Sequence, residues 1–323
     1  MRILITGGSG FLGARTIPAL VAAGHEVFAL ARSASSTEKV RALGATPISG
    51  DLEQPKTLSL PALDAIVHAA AHLRFAGPRA PYFRANVAGT LALLTAAEKV
   101  GVNTFIYLSA AAVVMDDRGS PLLDADERAP TFPNSFSGYI ASKSRAEAAV
   151  IAANKPGFRT IALRPPAIWG PGDRVSAEIP HAIEAGRFAF IDRGDLPFPT
   201  CHVDNVIEAV GRALERGSGG RAYFINDQET TTFREFVSSL AALKGLTLEG
   251  VRSVPYGVAK LIASVMEFAA AVTRSHDDPP LTRTMVRMTG RAFTTNDAAA
   301  RRDLGYIGVV TREEGLRLYN AKA

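Results

Sequence analysis

The sequence has almost no cysteine and no recognisable export segment, and both shortages narrow the classes of protein it can represent. Cys201 is its only cysteine among 323 residues. An internal disulfide is therefore impossible, so we expect a reducing cytoplasm. The opening residues MRILITGG predict a buried strand, whereas a signal peptide needs a longer apolar region and a cleavage site.

Long apolar runs are also missing. The most apolar late stretch, VAKLIASVMEFAAAV (residues 258–272), is interrupted by Lys260 and Glu267 and is too short to cross a bilayer. We therefore expect no integral membrane segment. The pattern predicts an amphipathic helix, and packing on its own domain is favoured over lying on a membrane surface.

No basic run and no metal-ligand pattern occurs either. The net charge of +5 comes from scattered Lys and Arg, which argues weakly for an anionic ligand and against nucleic acid. His68 and His72 pass from a predicted strand into a loop, so no metal site is expected there. P-loop, nucleophile-elbow and zinc patterns are absent, and Cys201 is interpreted as a small buried residue.

What is present is a regular alternation of short β-rich runs and helical stretches. Strands are predicted at RILIT, EVFALA, ATPIS, AIVHA, TFIYLS and TIALR. This pattern predicts an α/β fold of the Rossmann type, with a doubly wound parallel sheet. We expect a dinucleotide-binding domain over residues 1–171, with returning segments near 200–226 and 291–304. Residues 172–323 are expected to form mostly a smaller, discontinuous substrate-binding lobe.

A glycine-rich loop stands at the first strand-to-helix junction, in ITGGSGFLGARTIPALVAAG. Gly7 allows the tight turn, Gly10 lets the backbone approach a pyrophosphate, and Gly13 lets the helix pack close to the sheet. The helix N-terminus then offers free N–H groups to an anion. This arrangement predicts dinucleotide binding.

The end of the second predicted strand distinguishes between the two nicotinamide cofactors. An acidic residue there would bind the ribose 2′-hydroxyl, whereas an arginine suits a 2′-phosphate. The sequence places Arg32 at this point, flanked by Ser33 and Ser35 as further hydroxyl donors. NADP(H) is therefore the preferred cofactor. NAD(H) stays possible, because a solvated arginine after a strand would give the same sequence pattern.

A tyrosine and a lysine lie four residues apart in SGYIASK. On a helix, Tyr139 and Lys143 would share one face and could meet one ligand together. A neighbouring ammonium favours the phenolate, so Lys143 is expected to lower the pKa of Tyr139.

These motifs, in their order and spacing, resemble an extended short-chain dehydrogenase/reductase over nearly the whole chain. The chain is most similar to the 3β-hydroxysteroid dehydrogenase-like branch, which includes bacterial NADPH-dependent reductases of 3-oxo lipids. The segments that carry the likeness are TGGSGFLG, GDL (50–52), VHAAA (67–71), NVAGT (86–90), YIASK, LRPPAIWGPGD (163–173) and HVDNV (202–206).

The resemblance implies roles for individual residues. Tyr139 would be the proton donor or acceptor, and Lys143 would hold the ribose and tune Tyr139. In the sequence pattern Asn86 begins the predicted helix NVAGTLALLTAAEKVG, either as a cap or buttress or with a functional role. The residues implied to bind the cofactor, with Tyr139 and Lys143, are Gly7, Gly10, Phe11, Leu12, Gly13, Arg32, Asp51, Leu52, Ala69, Ala70, Ala71, Pro165 and Pro166.

One segment departs from the family. Its members usually carry two consecutive hydroxyl residues after the fifth strand, and the second polarises the substrate oxygen. In FIYLSAAAVV, Ser109 takes the first position and Ala110 the second. Either Ser109 replaces the missing group catalytically, or Ser137 reaches in, or turnover is slow or absent. We interpret Ser109 as mainly structural.

The leading hypothesis is an NADPH-dependent oxidoreductase that acts on the carbonyl, or in reverse the alcohol, of a bulky and fairly apolar small molecule. The alternatives are a nucleotide-sugar epimerase or dehydratase, an NAD-dependent steroid-type dehydrogenase, and a cofactor-binding regulator without turnover, which Ala110 suggests. Small residues on the helices near Tyr82 and Gly138 predict a homodimer, and the family resemblance implies the same.

Overall fold

The computed structural model describes residues 1–273 and 277–320. Its strands, numbered along the chain, are β1 (Arg2–Thr6), β2 (Glu26–Ala31), β3 (Thr46–Ser49), β4 (Ala65–His68), β5 (Thr104–Leu108), β6 (Leu122–Ala125), β7 (Arg159–Arg164), β8 (Ala167–Trp169), β9 (Ala189–Ile191), β10 (Thr200–His202), β11 (Arg221–Phe224), β12 (Arg252–Val254) and β13 (Phe293–Thr295). Its helices are α1 (Phe11–Ala22), α2 (Ala34–Ala42), α3 (Arg79–Tyr82), α4 (Gly89–Lys99), α5 (Gly138–Ala152), α6 (Arg174–Glu184), α7 (Val203–Glu215), α8 (Phe233–Ala242), α9 (Tyr256–Val272), α10 (Arg283–Thr289), α11 (Ala298–Leu304) and α12 (Arg312–Asn320).

Seven parallel strands form the central sheet, in the order β11-β7-β5-β4-β1-β2-β3. The strand order reverses direction between β1 and β4. In open α/β sheets, ligands bind beyond the carboxyl ends of the strands at such a switch point. The glycine loop after β1 and the alanines after β4 both lie there. The predicted doubly wound Rossmann fold is confirmed.

Alternation along β1 explains why helices cover both faces of the sheet. Ile3 and Ile5 point to one side, where they join a buried cluster with Ile17 of α1 and Val206 of α7. Leu4 points to the other side, into a cluster with Leu93 of α4 and other residues of α4 and α5. Both faces of this strand are therefore sealed, which accounts for its continuous apolar sequence.

Small parallel strand pairs, β8–β10, β9–β12 and β6–β13, accompany the main sheet. In the C-terminal part, a separate apolar cluster joins Ile191 at the end of β9, Ala259 and Ala263 of α9, and Val286 of α10. Residues 274–276 and 321–323 of the expected substrate lobe lie outside the described residues. Across residues 1–273 and 277–320, no helix combines the length and apolar character that crossing a bilayer requires.

Candidate active site

The glycine loop between β1 and α1 forms an open backbone cradle. Gly7 has a φ of +72°, and a Cβ on it would lie 2.8 Å from the backbone nitrogen of Ala70. A Cβ on Gly13 would lie 2.3 Å from Cα of Gly8. No side chain caps the start of α1 at Gly10, so the first amides of this helix keep their N–H groups for another partner. The residues present fit a dinucleotide pyrophosphate.

A buried hydrogen-bond chain holds the strand end beside this cradle. The Ala70 amide donates to Thr6 Oγ1 at 3.1 Å, and Thr6 Oγ1 lies 2.6 Å from Nδ1 of His68. His68 Nε2 lies 2.9 Å from Thr90 Oγ1, which donates to the Asn86 carbonyl. Since each hydroxyl has one proton, Thr6 donates to Nδ1 and Nε2–H donates to Thr90. Burial and then Lys143 lower the pKa of His68 to about 3, so the ring stays neutral.

Asn86 is a buttress inside a helical segment, so the expectation that it begins a helix is wrong. The helical run already starts at Arg79–Tyr82, and Asn86 lies in the wide π-type turn Phe83–Ala88 that follows. Its Oδ1 accepts the His72 amide at 2.6 Å, and its Nδ2 donates to the His72 carbonyl and to Ser142 Oγ. Asn86 thereby ties the loop after β4 to helix α5. Because a helical backbone leaves the side chain free, no local pattern reveals this role.

Arg32 follows β2 and is exposed to solvent. Ser33, next to it, is the N-cap of α2: its Oγ accepts the Ser36 amide at 3.2 Å and lies 3.1 Å from Ser36 Oγ. The Ser36 hydroxyl donates to the Ser33 carbonyl, so the Ser33 hydroxyl donates to Ser36. The Ser33 hydroxyl expected to help Arg32 is thus already used in capping the helix.

Asp51 and Leu52 lie beyond β3, beside the start of α4. Asp51 Oδ1 accepts the Glu53 amide at 3.0 Å, which fixes the carboxylate in a local turn. A Cβ on Gly89 would lie 3.1 Å from Cβ of Leu52, so the small residue at this point lets the loop approach the helix.

Tyr139 lies in the first turn of α5. Ser137 caps this helix, with its Oγ accepting the Ile140 amide at 3.4 Å. The Tyr139 ring meets the Phe75 ring edge-to-face, with centroids 6.1 Å apart. Burial raises the pKa of Tyr139 to about 12. Its hydroxyl therefore keeps its proton at neutral pH.

Lys143 lies one turn further along the same helix, as its spacing predicts. Its ammonium donates to the carbonyl of Leu108, at the end of β5, and lies 4.5 Å from the Tyr107 ring centroid. Burial lowers the pKa of Lys143 to about 7, against a smaller opposing effect of Glu147. The expectation that Lys143 lowers the pKa of Tyr139 is wrong in this structure, because burial governs both groups.

A buried ion pair behind Lys143 escaped the sequence analysis. Glu147, one further turn along α5, receives two hydrogen bonds from Arg164 at the end of β7, at 2.6 and 3.0 Å. Both side chains are almost fully buried, with 2% and 4% of their surface exposed. The i, i+4, i+8 spacing of Tyr139, Lys143 and Glu147 was the available signal.

The end of β5 is poor in hydrogen-bonding groups. Ser109 donates its amide to the Leu163 carbonyl at 2.8 Å, but its Oγ is enclosed and has no partner among the described residues. Ala110 precedes a short 3₁₀ turn, Ala111–Val114, and brings only a methyl group. The Ala111 amide donates to the Pro165 carbonyl at 2.8 Å, which places Pro165 and Pro166 beside this turn.

A carboxylate from the C-terminal part closes the loop that faces Tyr139. Asp278 accepts the amides of Phe75 and Ala76, at 2.9 and 3.0 Å, and pairs with Arg74 at 3.2 Å. We call this set the Asp278 clasp. It holds Phe75 where its ring meets that of Tyr139.

The two histidines of HAAAH point to different surroundings. His68 is enclosed in the hydrogen-bond chain, whereas His72 meets the Tyr82 ring with centroids 4.8 Å apart. In residues 1–273 and 277–320, no group of three or more His, Cys, Asp or Glu side chains could hold a metal. Cys201 is a buried free thiol whose pKa burial raises strongly.

Comparison with known proteins shows that the chain is similar to reductases and dehydrogenases. Residues 4–256 match the 3-beta hydroxysteroid dehydrogenase/isomerase family. The chain is 41% identical over 321 residues to the 4-hydroxy-2-methyl-3-oxo-4-farnesyl-3,4-dihydroquinoline-1-oxide ketoreductase of Stigmatella aurantiaca, covering 98% of this chain and 95% of that protein. It is 33% identical to the 2-alkyl-3-oxoalkanoate reductase of Stenotrophomonas maltophilia (strain K279a), covering 100% and 99%. Among solved structures, gox2253 aligns with a TM-score of 0.78 at 26% identity, over 99% of this chain and 98% of that one.

Proposed function

The chain belongs to the 3-beta hydroxysteroid dehydrogenase/isomerase family, and from this premise we propose that it is an NADPH-dependent reductase of a bulky, apolar ketone. It is an enzyme of the extended short-chain dehydrogenase/reductase class. The observation that carries the proposal is the Tyr139–Lys143 face of α5, in a chain whose relatives are named for reducing a farnesylated quinoline oxide and an alkylated oxoalkanoate. Both named substrates combine a ketone with a large apolar group.

Different residues of the chain would bind different parts of the cofactor. The cradle at Gly7, Gly10 and Gly13 would hold the pyrophosphate, with Phe11 and Leu12 opening the helix behind it. Asp51 would contact the adenine and Leu52 would pack on it. The small residues Ala69, Ala70 and Ala71 would line the cofactor, and Pro165 and Pro166 would lie by the nicotinamide. When bound, the reduced nicotinamide supplies a hydride to the carbonyl carbon.

Tyr139 would donate its proton to the carbonyl oxygen as negative charge develops there. A hydroxyl whose pKa is about 12 holds its proton at neutral pH and gives it up to a more basic alkoxide. Lys143, one turn further along the same face, would bind the ribose. We propose that residues 172–323 form most of the lobe that encloses the substrate.

The test is turnover by the purified protein with NADPH or NADH and a panel of ketones. The panel should contain alkylated 3-oxoalkanoates, 3-oxosteroids and nucleotide-sugar substrates. Oxidation of NADPH with an apolar ketone is expected. Conversion of a nucleotide sugar would favour the epimerase or dehydratase alternative, and NADPH binding without any turnover would favour a regulator.

Arg32 is proposed to select NADPH. A charge-assisted contact to the 2′-phosphate contributes roughly 1.5–3 kcal/mol, or about one to two decades in affinity. Arg32→Ala should weaken NADPH by that factor and leave NADH nearly unchanged, as measured by fluorescence titration. Arg41→Ala, at an exposed arginine in the last turn of α2, serves as a control for general loss of charge. Equal losses for both cofactors would show that Arg32 does not read the phosphate.

We also propose a homodimer formed through α4 and α5, in a reducing cytoplasm. An apolar groove of about 350 Å³ runs along α4, with Leu58, Leu91 and Ala92 among its lining residues. Leu91, in the first turn of α4, is 47% exposed and lies in this groove. A monomeric mass by light scattering at micromolar concentration would contradict the dimer.

A further inference from the structure

Helix α12 carries a tyrosine onto the loop that follows β8. We call this loop, Gly-Pro-Gly-Asp at residues 170–173, the β8 loop. The Tyr319 hydroxyl accepts the Gly170 amide at 3.0 Å and donates to Asp173 Oδ2 at 2.5 Å. The Tyr319 ring lies nearly parallel to that of Trp169, the last residue of β8, with centroids 6.3 Å apart. Tyr319 therefore joins the two ends of the β8 loop to each other and to the strand before it.

The backbone of the β8 loop is costly to order. Gly170 and Gly172 have φ values of +142° and +97°, and glycine loses more conformational freedom on folding than any other residue. The Asp173 carboxylate accepts the Gly170 amide at 3.1 Å and the Ser176 amide at 2.7 Å. Burial and then Asp173 raise the pKa of Tyr319, so its hydroxyl keeps the proton that it donates. Because Asp173 is buried, loss of this donor would leave its carboxylate without one of its hydrogen bonds.

One side of the β8 loop faces the proposed cofactor cradle. A Cβ on Gly172 would lie 3.9 Å from Cδ2 of Phe11, the first residue of α1. The backbone N–H groups at this end of α1 belong to the cradle that fits a pyrophosphate. Pro165 and Pro166, which the proposed function puts by the nicotinamide, directly precede β8. A displacement of the β8 loop would therefore reach the proposed cofactor site from two directions.

Helix α12 is held in place by packing that does not involve the Tyr319 hydroxyl. A Cβ on Gly315 would lie 2.6 Å from Cη2 of Trp169, so the helix backbone lies directly on the indole ring. Leu316 and the Tyr319 ring pack on the buried cluster that contains Trp169 and Phe236. A phenylalanine at position 319 keeps the ring and this packing. Tyr319→Phe therefore separates the role of the hydroxyl from that of the helix.

We propose that Tyr319 is a positioning residue for the cofactor: its hydroxyl holds the β8 loop in the shape that keeps Gly172 against Phe11 and preserves the NADPH site. This inference rests on the proposed function, because it takes the cradle to bind NADPH. The effect of Tyr319 passes through Gly170 and Asp173. Loss of the hydroxyl should weaken NADPH binding and raise the KM for NADPH, while kcat at saturating cofactor stays nearly unchanged.

Fluorescence titration of the full chain with NADPH tests the inference, and thermal unfolding of each variant reports loss of stability separately. The test variant is Tyr319→Phe. The matched control is Tyr306→Phe, which deletes another tyrosine hydroxyl that donates a hydrogen bond, to the Asn226 carbonyl at 2.6 Å. Asp173→Asn and the double variant Tyr319→Phe/Asp173→Asn complete a cycle that measures the coupling of the two residues.

Tyr319→Phe should raise the Kd for NADPH by about five- to tenfold, whereas Tyr306→Phe should stay within about twofold of wild type. The double variant should bind about as weakly as the weaker of its two single variants, because both changes break one link. The inference would be overturned by a Tyr319→Phe protein that binds like wild type, by equal losses in both tyrosine variants, or by losses that multiply in the double variant. Wild type that binds neither NADPH nor NADH would overturn the proposed function, and this inference with it.

Discussion

The two sides of the candidate catalytic pocket differ in how their polar groups are supported. On the α5 side, Lys143 has a backbone acceptor and Glu147 pairs with Arg164 through two hydrogen bonds. At the end of β5, Ser109 Oγ has no partner among the described residues and Ala110 offers no polar group. Under the proposed mechanism, the α5 side supplies the proton donor, whereas the end of β5 supplies no second donor to the substrate oxygen.

The largest expected effect comes from removing the proton donor. Tyr139→Phe keeps the ring against Phe75 but deletes the hydroxyl, so turnover should fall by about 10²–10⁴. Steady-state oxidation of NADPH with an accepted ketone measures this, and a fluorescence titration checks that NADPH still binds. Retention of more than about a tenth of wild-type turnover would mean that the α5 side does not carry the chemistry.

The next test breaks the buried Glu147–Arg164 ion pair, which lies one turn beyond Lys143 on α5. Glu147→Ala leaves Arg164 as an uncompensated buried charge, which should cost about 3–5 kcal/mol of unfolding free energy in denaturant titrations. The matched control is Glu98→Ala, whose pair with Lys155 is exposed and should matter by less than about 1 kcal/mol. Similar losses in both variants would show that the buried Glu147–Arg164 pair matters no more to stability than an exposed pair.

A pH series tests the burial of Lys143. Burial lowers the pKa of Lys143 from 10.5 to about 7. Between those values the unfolded chain holds a proton that the folded chain has released, so stability rises with pH in this window. Relative to Lys143→Met, the wild-type unfolding free energy should rise by about 1.4 kcal/mol per pH unit there. Parallel pH profiles would show that Lys143 stays charged in the folded protein.

The smallest effects are expected at the end of β5. Ser109→Ala should lose less than about tenfold in kcat, well below the cost of a missing oxyanion donor. Ala110→Ser should keep the rate or raise it where the hydroxyl fits. If Ser109→Ala were as damaging as Tyr139→Phe while still binding NADPH, Ser109 would be the catalytic serine. The end of β5 would then contribute to catalysis as strongly as the α5 side.

The sequence predicts the parts of this molecule that depend on neighbours along the chain. Strands β1 and β2 coincide with the predicted RILIT and EVFALA, because apolar β-branched runs between turns suffice to specify them. Helical spacing likewise puts Tyr139 and Lys143 on one face. The raised pKa of Tyr139 could not be predicted from the sequence. It results from burial, which depends on tertiary contacts such as the one with Phe75.

The remaining features join positions that are distant in sequence. Asn86 contacts Ser142 across 56 residues, and Arg164 pairs with Glu147 from another element. No local sequence pattern predicts which polar side chains will contact each other in the folded chain. The sequence also predicts the amphipathic character of α9. Whether other elements cover its large apolar side chains depends on tertiary packing alone.

The Asp278 clasp has a consequence for the order of folding. It joins residues 202 to 204 positions apart, a large separation among the hydrogen bonds of residues 1–273 and 277–320. Closing so large a loop carries a high entropic cost, so such contacts form after the strands and helices between them have paired. The wall beside Tyr139 should therefore be among the last parts to assemble. A nascent chain released before residue 278 would lack the clasp, so the loop that carries Phe75 would not be held against Tyr139.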